Sequence, residues 1–490
     1  MTNQPVVLLV NPNKMMPPIA PLGIEYVAAS LSDRGYRPVL CDLTWQDDWQ
    51  AALEASVRDT APFAVGVSVR NIDDAYFASQ DFVLDYTAAV VRKLHDLTEA
   101  PVILGGVGYS VAPAEILDYT GADYGIAGEG EEALPALLNA LRKDGKRPAL
   151  ASVAAVSIAA ASIAGAVYRD EGGRVSVNPP KAVNLANLPA ASRRFLDNVR
   201  YFNEGGQAGV ETLRGCPHMC VYCVDPLAKG RATRIRPAGA VVGEICDLLN
   251  QGIDALHLCD CEFNLDIEHC WSVCETLIEE RLPSRVKWYT YASPTPFNDD
   301  LAHEMARAGC VGINFGVDHA DPVMLRRLGR VHTADDIRKV AKACRAAGIA
   351  VMFDMLLGGP GETRQSVAHA IDFMREVGPD RVGLSVGIRI YPYTRLAASV
   401  RAQGPMASNQ NLHGTIENNR DFLKPIFYID QQTGPDLHQY VTSLVAGEKM
   451  FFHADPAQVE GNYNYNNNSV LAQAIRNGAR GAYWDILRRL

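Results

Sequence analysis

Three thiols between Glu211 and Asp225 are the residues of this sequence most suited to chemistry. Cys216, Cys220 and Cys223 form a C-x3-C-x2-C array at the end of a predicted short strand. Gly215 and Pro217 interrupt regular structure there, so the three side chains can curl around one centre. Thiolates ligate iron–sulfur clusters, and a [4Fe–4S] cube normally takes four of them. One loop that supplies three leaves an iron open to a substrate or cofactor. Two other uses of the same residues stand beside this one: a Cys3His zinc knuckle completed by His218, and ordinary reduced cysteines.

With Tyr222 before its last cysteine, the array resembles the signature of the radical S-adenosylmethionine (SAM) superfamily. The resemblance implies that the open iron chelates the amino and carboxylate groups of SAM, with Tyr222 beside the adenine. Later segments resemble the family's in the matching order. Cys259-Asp-Cys-Glu-Phe-Asn264 is similar to the D-x-x-F-N of cobalamin-dependent members, which implies that Asp260 and Glu262 receive the SAM amino group or shape the substrate site. Cys259 and Cys261 read as packing thiols. Asn314-Phe-Gly-Val-Asp318 resembles a segment whose polar side chains, here Asn314 and Asp318, face SAM. Leu357-Gly-Gly-Pro-Gly-Glu-Thr363 resembles the G-x-P-G-E-T turn, where Gly359 allows close backbone approach and Thr363 can cap the next helix. Arg389-Ile-Tyr-Pro-Tyr-Thr394 resembles R-I-Y-P-x-T, and Arg389 and Tyr391 join Asp260 as expected catalytic residues.

These segments need a scaffold. From Gly209 onward, strands are predicted at Gly209–Leu213, Ala255–Cys259, Val286–Ala292, Val311–Val317, Ala350–Leu357 and Arg381–Ile390, with helices in the intervals. Six such units fit a partial (β/α)6 barrel whose site lies at the C-terminal ends of the strands. The N-terminal part alternates in the same way, with strands at Val6–Val10, Pro38–Cys41, Phe63–Ser68, Val102–Gly105 and Tyr124–Ile126. Helices are expected at Gly23–Arg34, Trp49–Asp59, Tyr76–Leu97 and Glu131–Leu141. That is a doubly wound, Rossmann-like parallel sheet, which binds ligands beyond its strand ends.

No G-x-G-x-x-G follows the first strand, which weighs against a dinucleotide. Pro17–Ile24, Gly105-Gly106 and Gly128-Glu-Gly-Glu131 instead resemble the cobalamin-binding domain attached to many radical SAM enzymes. The resemblance implies cofactor contacts from Pro18, Leu22, Gly23, Ser68, Arg70, Gly105, Gly106, Gly128 and Glu129. The D-x-H-x-x-G motif of cobalamin mutases is absent, so the corrin is expected with no histidine beneath cobalt. Arg70 under the corrin could not ligate cobalt and would favour Co(I) electrostatically. Its other use is a surface ion pair with Asp73 or Asp74. An empty first domain is the remaining alternative.

The expected division is residues 1–145 for the first domain, 146–205 for a linker, 206–395 for the barrel and 396–490 for an extension over its mouth. Ala149–Val167 reads as an interdomain segment running into a hairpin at Arg169–Arg174 rather than a membrane span. Tyr393, Phe427, Tyr428, Phe451 and Phe452 could line a substrate pocket or lie in the core. The Asn462–Asn468 tract reads as an exposed loop. A chain of 490 residues with a net charge of -10 argues against nucleic-acid binding through a broad basic surface. Eleven cysteines without scaffold spacing point to a reducing, cytoplasmic compartment.

The resemblance implies a cobalamin-dependent radical SAM methyltransferase with [4Fe–4S], SAM and cobalamin as cofactors. It would methylate a carbon of a small molecule or peptide through methylcobalamin and draw electrons from an external flavodoxin- or ferredoxin-like donor. Polar methylation of an aromatic carbon such as indole, radical rearrangement without methyl transfer, and a non-catalytic sensor are the alternatives.

Overall fold

The computed structural model describes residues 4–142, 160–190, 192–453 and 468–490. Its first sheet is built from short apolar runs that are buried on both faces, as parallel strands covered by helices must be. The strands are β1 (Val6–Asn11), β2 (Arg37–Asp42), β3 (Ala64–Ser68), β4 (Val102–Gly105), β5 (Tyr124–Ile126), β6 (Ala166–Arg169) and β7 (Val175–Val177). They lie in the order β2-β1-β3-β4-β5-β6-β7, parallel from β2 to β5. The order reverses between β1 and β3, and the crevice beyond those two strand ends is where such sheets take a ligand. The helix after β1 runs from Leu22 to Asp33, and the one before β4 from Leu84 to Leu97.

Two expectations change here. The hairpin read in the linker does form, but β6 and β7 pair antiparallel onto β5 and extend the first sheet to Val177. The helix predicted from Tyr76 starts only at Leu84, because Ala75 and Gln80 adopt positive φ (59° and 52°) in an irregular loop. Most of the Ala149–Val167 segment and of the Asn-rich tract lies outside the described residues.

The second unit carries β8 (Ala208–Val210), β9 (Leu213–Arg214), β10 (Arg234–Ile235), β11 (Ala255–Leu258), β12 (Lys287–Ala292), β13 (Cys310–Asp318), β14 (Ala350–Leu357), β15 (Arg381–Val386), β16 (Ile388–Arg389), β17 (Leu412–Gly414), β18 (Ile426–Tyr428) and β19 (Phe451–His453). Six parallel strands, β8 and β11 to β15, form the expected barrel wall. A seventh, β19, adds to β15 from the C-terminal extension. The predicted last strand, Arg381–Ile390, is broken at Gly387 (φ +84°). That turn sends β16 into a separate three-stranded sheet with β17 and β18. The aromatic residues proposed for a pocket are mostly core: Phe427, Tyr428, Phe451 and Phe452 are buried, and only Tyr393 is exposed.

Candidate active site: three cysteines under an interdomain lumen

The cluster loop is fixed at both ends. Gly215 (φ +98°) enters it so close to Ala232 that a Cβ would stand 2.1 Å from that residue's carbonyl oxygen. Val221 N–H donates to Leu328 O at 3.0 Å, and Val221 O accepts from Leu396 N–H at 2.8 Å. Asp260, expected to act on SAM, has another task. Its carboxylate accepts from Thr212 N (2.7 Å), Leu213 N (3.0 Å) and Thr212 Oγ1 (2.7 Å), tying the strand before the cysteines to the end of β11.

Arg330, which no sequence motif marked, organises the loop's inner side. It follows the helix Pro322–Leu328, and its Nη1 lies 3.1 Å from Cys220 Sγ. Its other atoms reach Glu262 (3.5 Å) and Asp318 (3.4 Å). Tyr222 Oη donates to Asp318 Oδ2 at 2.5 Å. Asp318 holds φ +59° at a register shift between β13 and β14, a costly backbone for a non-glycine residue and one that clusters at functional sites. Tyr222, Glu262 and Asp318 are thus brought together beside the cysteines.

His218 Nε2 lies 2.8 Å from Glu262 Oε2, off the line of a hydrogen bond. It is turned to that carboxylate, which speaks against a zinc knuckle. Further along, Asn314 Oδ1 is a buried polar atom without a hydrogen-bond partner, which a bound ligand or water would satisfy. Burial pushes the Cys216 thiol up to about 12 and raises those of Cys220 and Cys223, so iron must displace three protons on binding. A three-thiolate cluster with SAM beside it fits these residues.

The interior of the barrel is filled at one end, where Tyr289 and Met352 pack against Phe452, Leu471, Ile475 and Trp484, and open toward the other. Tyr291 sits on β12 with paired strands on either side, yet it is 44 % exposed, because it faces a lumen. Around it stand His257, whose ring centre is 4.7 Å away, Cys259, and the Asn314–Asp354 pair joined at 2.7 Å. Arg70, on the loop after β3, reaches over this lumen. Its guanidinium donates to Met15 Sδ at 2.8 Å, and Cys259, Tyr291, Tyr201 and Tyr483 all lie within its electrostatic reach. The alternative ion pair with Asp73 is not made: Asp73 belongs to Arg389. Gly105, at the end of β4, has no atom within 4 Å of where a Cβ would stand, which leaves room for a flat ligand beside Ser68 and Gly106.

Other expected contacts are moved by the structure. Arg389 Nε meets Asp73 Oδ2 at 2.7 Å, both buried, and the half-buried Tyr391 donates its Oη to Asp73 Oδ1 at 2.9 Å. Both therefore join the barrel to the first domain. Glu129 accepts from Arg234 (2.6 and 2.9 Å) and from Val183 N–H (2.5 Å), so its carboxylate is committed to protein, while Gly128 packs on Pro180. Gly359 gives its amide to Glu362 Oε2 at 2.9 Å, and Met324, Ile388 and Leu328 fill the space above it. Glu362 in turn holds the buried His319 at 2.9 Å, a pair the turn motif alone did not reveal. Pro18 carries its carbonyl against Gly205, and Leu22 and Gly23 open the first helix.

Burial pushes His257 and His332 down to about 4 and Asp260 up to about 6. Between about pH 4 and 6, the unfolded chain binds two protons at these histidines that the folded chain does not. The folded chain binds one at Asp260 that the unfolded chain lacks. From these three groups the unfolded state holds a net one proton more, so together they contribute a rise in stability of about 1.4 kcal/mol per pH unit across that window. Urea denaturation of His257→Asn/His332→Asn should show a slope lower than that of wild type by about 2.8 kcal/mol per pH unit, the share of the two histidines.

Two cofactor modules that face one lumen, with three cysteines at the mouth of one and an open crevice in the other, define a cobalamin-dependent radical SAM enzyme. The B12 binding domain model matches residues 14–138 and the Radical SAM superfamily model residues 210–374. The chain is 30% identical to a tryptophan 2-C-methyltransferase of Streptomyces laurentii, over 99% of this chain and 96% of the relative, and it belongs to that family. TsrM of Kitasatospora setae, solved with tryptophan and aza-SAM, is 28% identical and superposes with a TM-score of 0.89 over 99% of this chain and 98% of that one. The same protein has been solved with cobalamin and a [4Fe–4S] cluster. OxsB, at 20% identity and a TM-score of 0.67 over 87% of this chain and 64% of that one, shares the fold. The chain is a C-methyltransferase of small molecules that uses a [4Fe–4S] cluster, SAM and cobalamin. Among the described residues no helix is long and apolar enough to cross a membrane.

Proposed function

We propose that this enzyme methylates an indole carbon of tryptophan or a closely related aromatic amino acid by the polar route. The lumen carries the reading. Tyr291 offers an accessible aromatic face in mid-sheet, and the Asp354 carboxylate beside it suits a substrate ammonium. The similarity to tryptophan-methylating relatives over nearly the whole chain supports the same substrate class.

When bound, cobalamin supplies the methyl carrier between SAM and substrate. The chain's own residues do the rest. Cys216, Cys220 and Cys223 would hold the cluster, and Tyr222, Glu262, Asn314 and Asp318 would border SAM. Arg70, Ser68, Gly105 and Gly106 would line the cobalamin site. Asp260, Arg389, Tyr391 and Glu129 hold these elements in register. The Arg70 guanidinium would favour electron-rich cobalt electrostatically. Eleven free cysteines suit a cytoplasmic setting with an external one-electron carrier.

Anaerobic reconstitution with iron, sulfide and cobalamin, followed by SAM and L-tryptophan, tests the reading. The expected result is tryptophan heavier by one methylene unit, with S-adenosylhomocysteine in equal amount and no 5′-deoxyadenosine. Methylation accompanied by 5′-deoxyadenosine would replace the polar route with the radical one. Tryptophan and its ring-substituted analogues all recovered unchanged from a fully loaded enzyme would overturn the substrate class.

A further inference from the structure

His257 shares the lumen wall with Tyr291. It lies on β11 level with Tyr289 of β12, one layer nearer the filled end than Cys259 and Tyr291. Its ring centre is 4.7 Å from that of Tyr291, with the two planes tilted by 51°. Nδ1 is 2.9 Å from Leu258 O, and a carbonyl only accepts, so Nδ1 carries the proton. The neutral ring then holds a bare lone pair on Nε2, at the end away from the strand. Among the described residues Nε2 bonds to nothing, although the residue is only 8 % exposed. Burial pushes the imidazole down to about 4, so it stays uncharged at neutral pH. Arg70, Lys229 and Asp354 act electrostatically on Tyr291 but not on His257 beside it.

A buried acceptor that lacks a donor costs free energy until a ligand or water supplies one. The order of strands says which donor suits this one. β11, β12, β13 and β14 are neighbours in the wall, so His257, Tyr291, Asn314 and Asp354 succeed one another around the lumen. An aromatic amino acid laid against Tyr291 with its ammonium toward Asp354 turns its ring toward His257. An indole presents one polar hydrogen there, the ring N–H.

We propose that His257 Nε2 accepts the ring N–H of the substrate and so restricts this enzyme to aromatic amino acids whose ring carries a hydrogen-bond donor. The inference rests on the substrate class proposed above. A site built to pair a substrate N–H rejects an isostere without it, because the site's own buried acceptor is then left unpaired. The bond also fixes the rotation of the ring in its own plane, and with it which carbon is offered for methylation.

The test is equilibrium dialysis of the reconstituted full-length enzyme, without SAM, against L-tryptophan and against L-benzothienylalanine. The analogue has nearly the same shape, with sulfur in place of the N–H. Wild type should bind tryptophan about tenfold or more tightly than the analogue. His257→Leu and His257→Phe, checked for full iron and corrin content, should lose that preference or reverse it, since the tryptophan N–H is then buried without an acceptor. A wild-type preference below about twofold would overturn the His257 assignment alone, as would a preference of about tenfold that survives in both variants. Wild type that binds neither compound would overturn the substrate class and this assignment together.

Discussion

Arg214→Ala is expected to destabilise the protein by about 3–5 kcal/mol, the cost of leaving buried charges without their partner. Arg214 stands two residues before Cys216 and is 9 % exposed. It reaches Glu211 at 2.8 Å, Glu131 at 2.9 Å and Glu129 at 3.2 Å. Glu129 keeps Arg234 when Arg214 is removed, whereas Glu131 and Glu211 lose their closest cation. Burial pushes the Glu211 carboxyl up, but Arg214 beside it outweighs this and holds it below its usual range. In wild type, that pairing adds stability above the unfolded carboxyl's pKa, and the gain is lost as pH falls through the folded one. In the variant the sign reverses: an unpaired buried carboxylate is relieved by protonation, so the deficit should be larger at pH 8 than at pH 5.5. Arg214→Lys should recover little, since a single ammonium cannot fork across three carboxylates. Chemical denaturation at the two pH values measures both. Because Glu129 and Glu131 belong to the first domain and Arg214 to the barrel, the variant should also unfold in two separated transitions. A variant within about 1 kcal/mol of wild type, unfolding in one step, would show that the clamp contributes only what an exposed ion pair does.

The second large effect is at the cysteines. Cys216→Ala, Cys220→Ala and Cys223→Ala should each reduce iron from about four atoms per chain to near zero and abolish methyl transfer. Cobalamin retention should be unaffected, because its crevice lies beyond β1 and β3 in the other sheet. Cys259→Ala, in the lumen wall, should keep its iron. Metal analysis and corrin absorbance on the same samples check all four. Iron retained by any of the three loop variants would require another ligand in its place.

The sequence revealed what is local. A C-x3-C-x2-C spacing fits in eight residues, and apolar runs such as Val6–Val10 carry their own strand signal. What it hid is long-range pairing. Asp73 and Arg389 stand 316 positions apart, and no pattern near either shows that they share a buried ion pair. Glu129 looked like a cofactor contact because its partner Arg234 lies 105 residues away. Arg330 escaped notice for the same reason, since its Cys220 partner is 110 residues earlier. Tyr291 could not be told from a core aromatic, because periodicity does not say whether the inside of a barrel is filled. Gly387 is a local feature that the continuous Arg381–Ile390 strand passed over, and its turn divides β15 from β16.

The seventh barrel strand also bears on how the chain is made. β19 begins at Phe451, 65 residues after β15 ends at Val386. At about 5–20 residues per second of synthesis, the outer edge of β15 waits several seconds for its partner. During that interval the nascent barrel presents an open strand edge rich in valine, the kind of template on which neighbouring chains pair. The extension therefore acts as a cap delivered late. The Val382–Leu384 part of that edge is covered only once Phe451–His453 have left the ribosome.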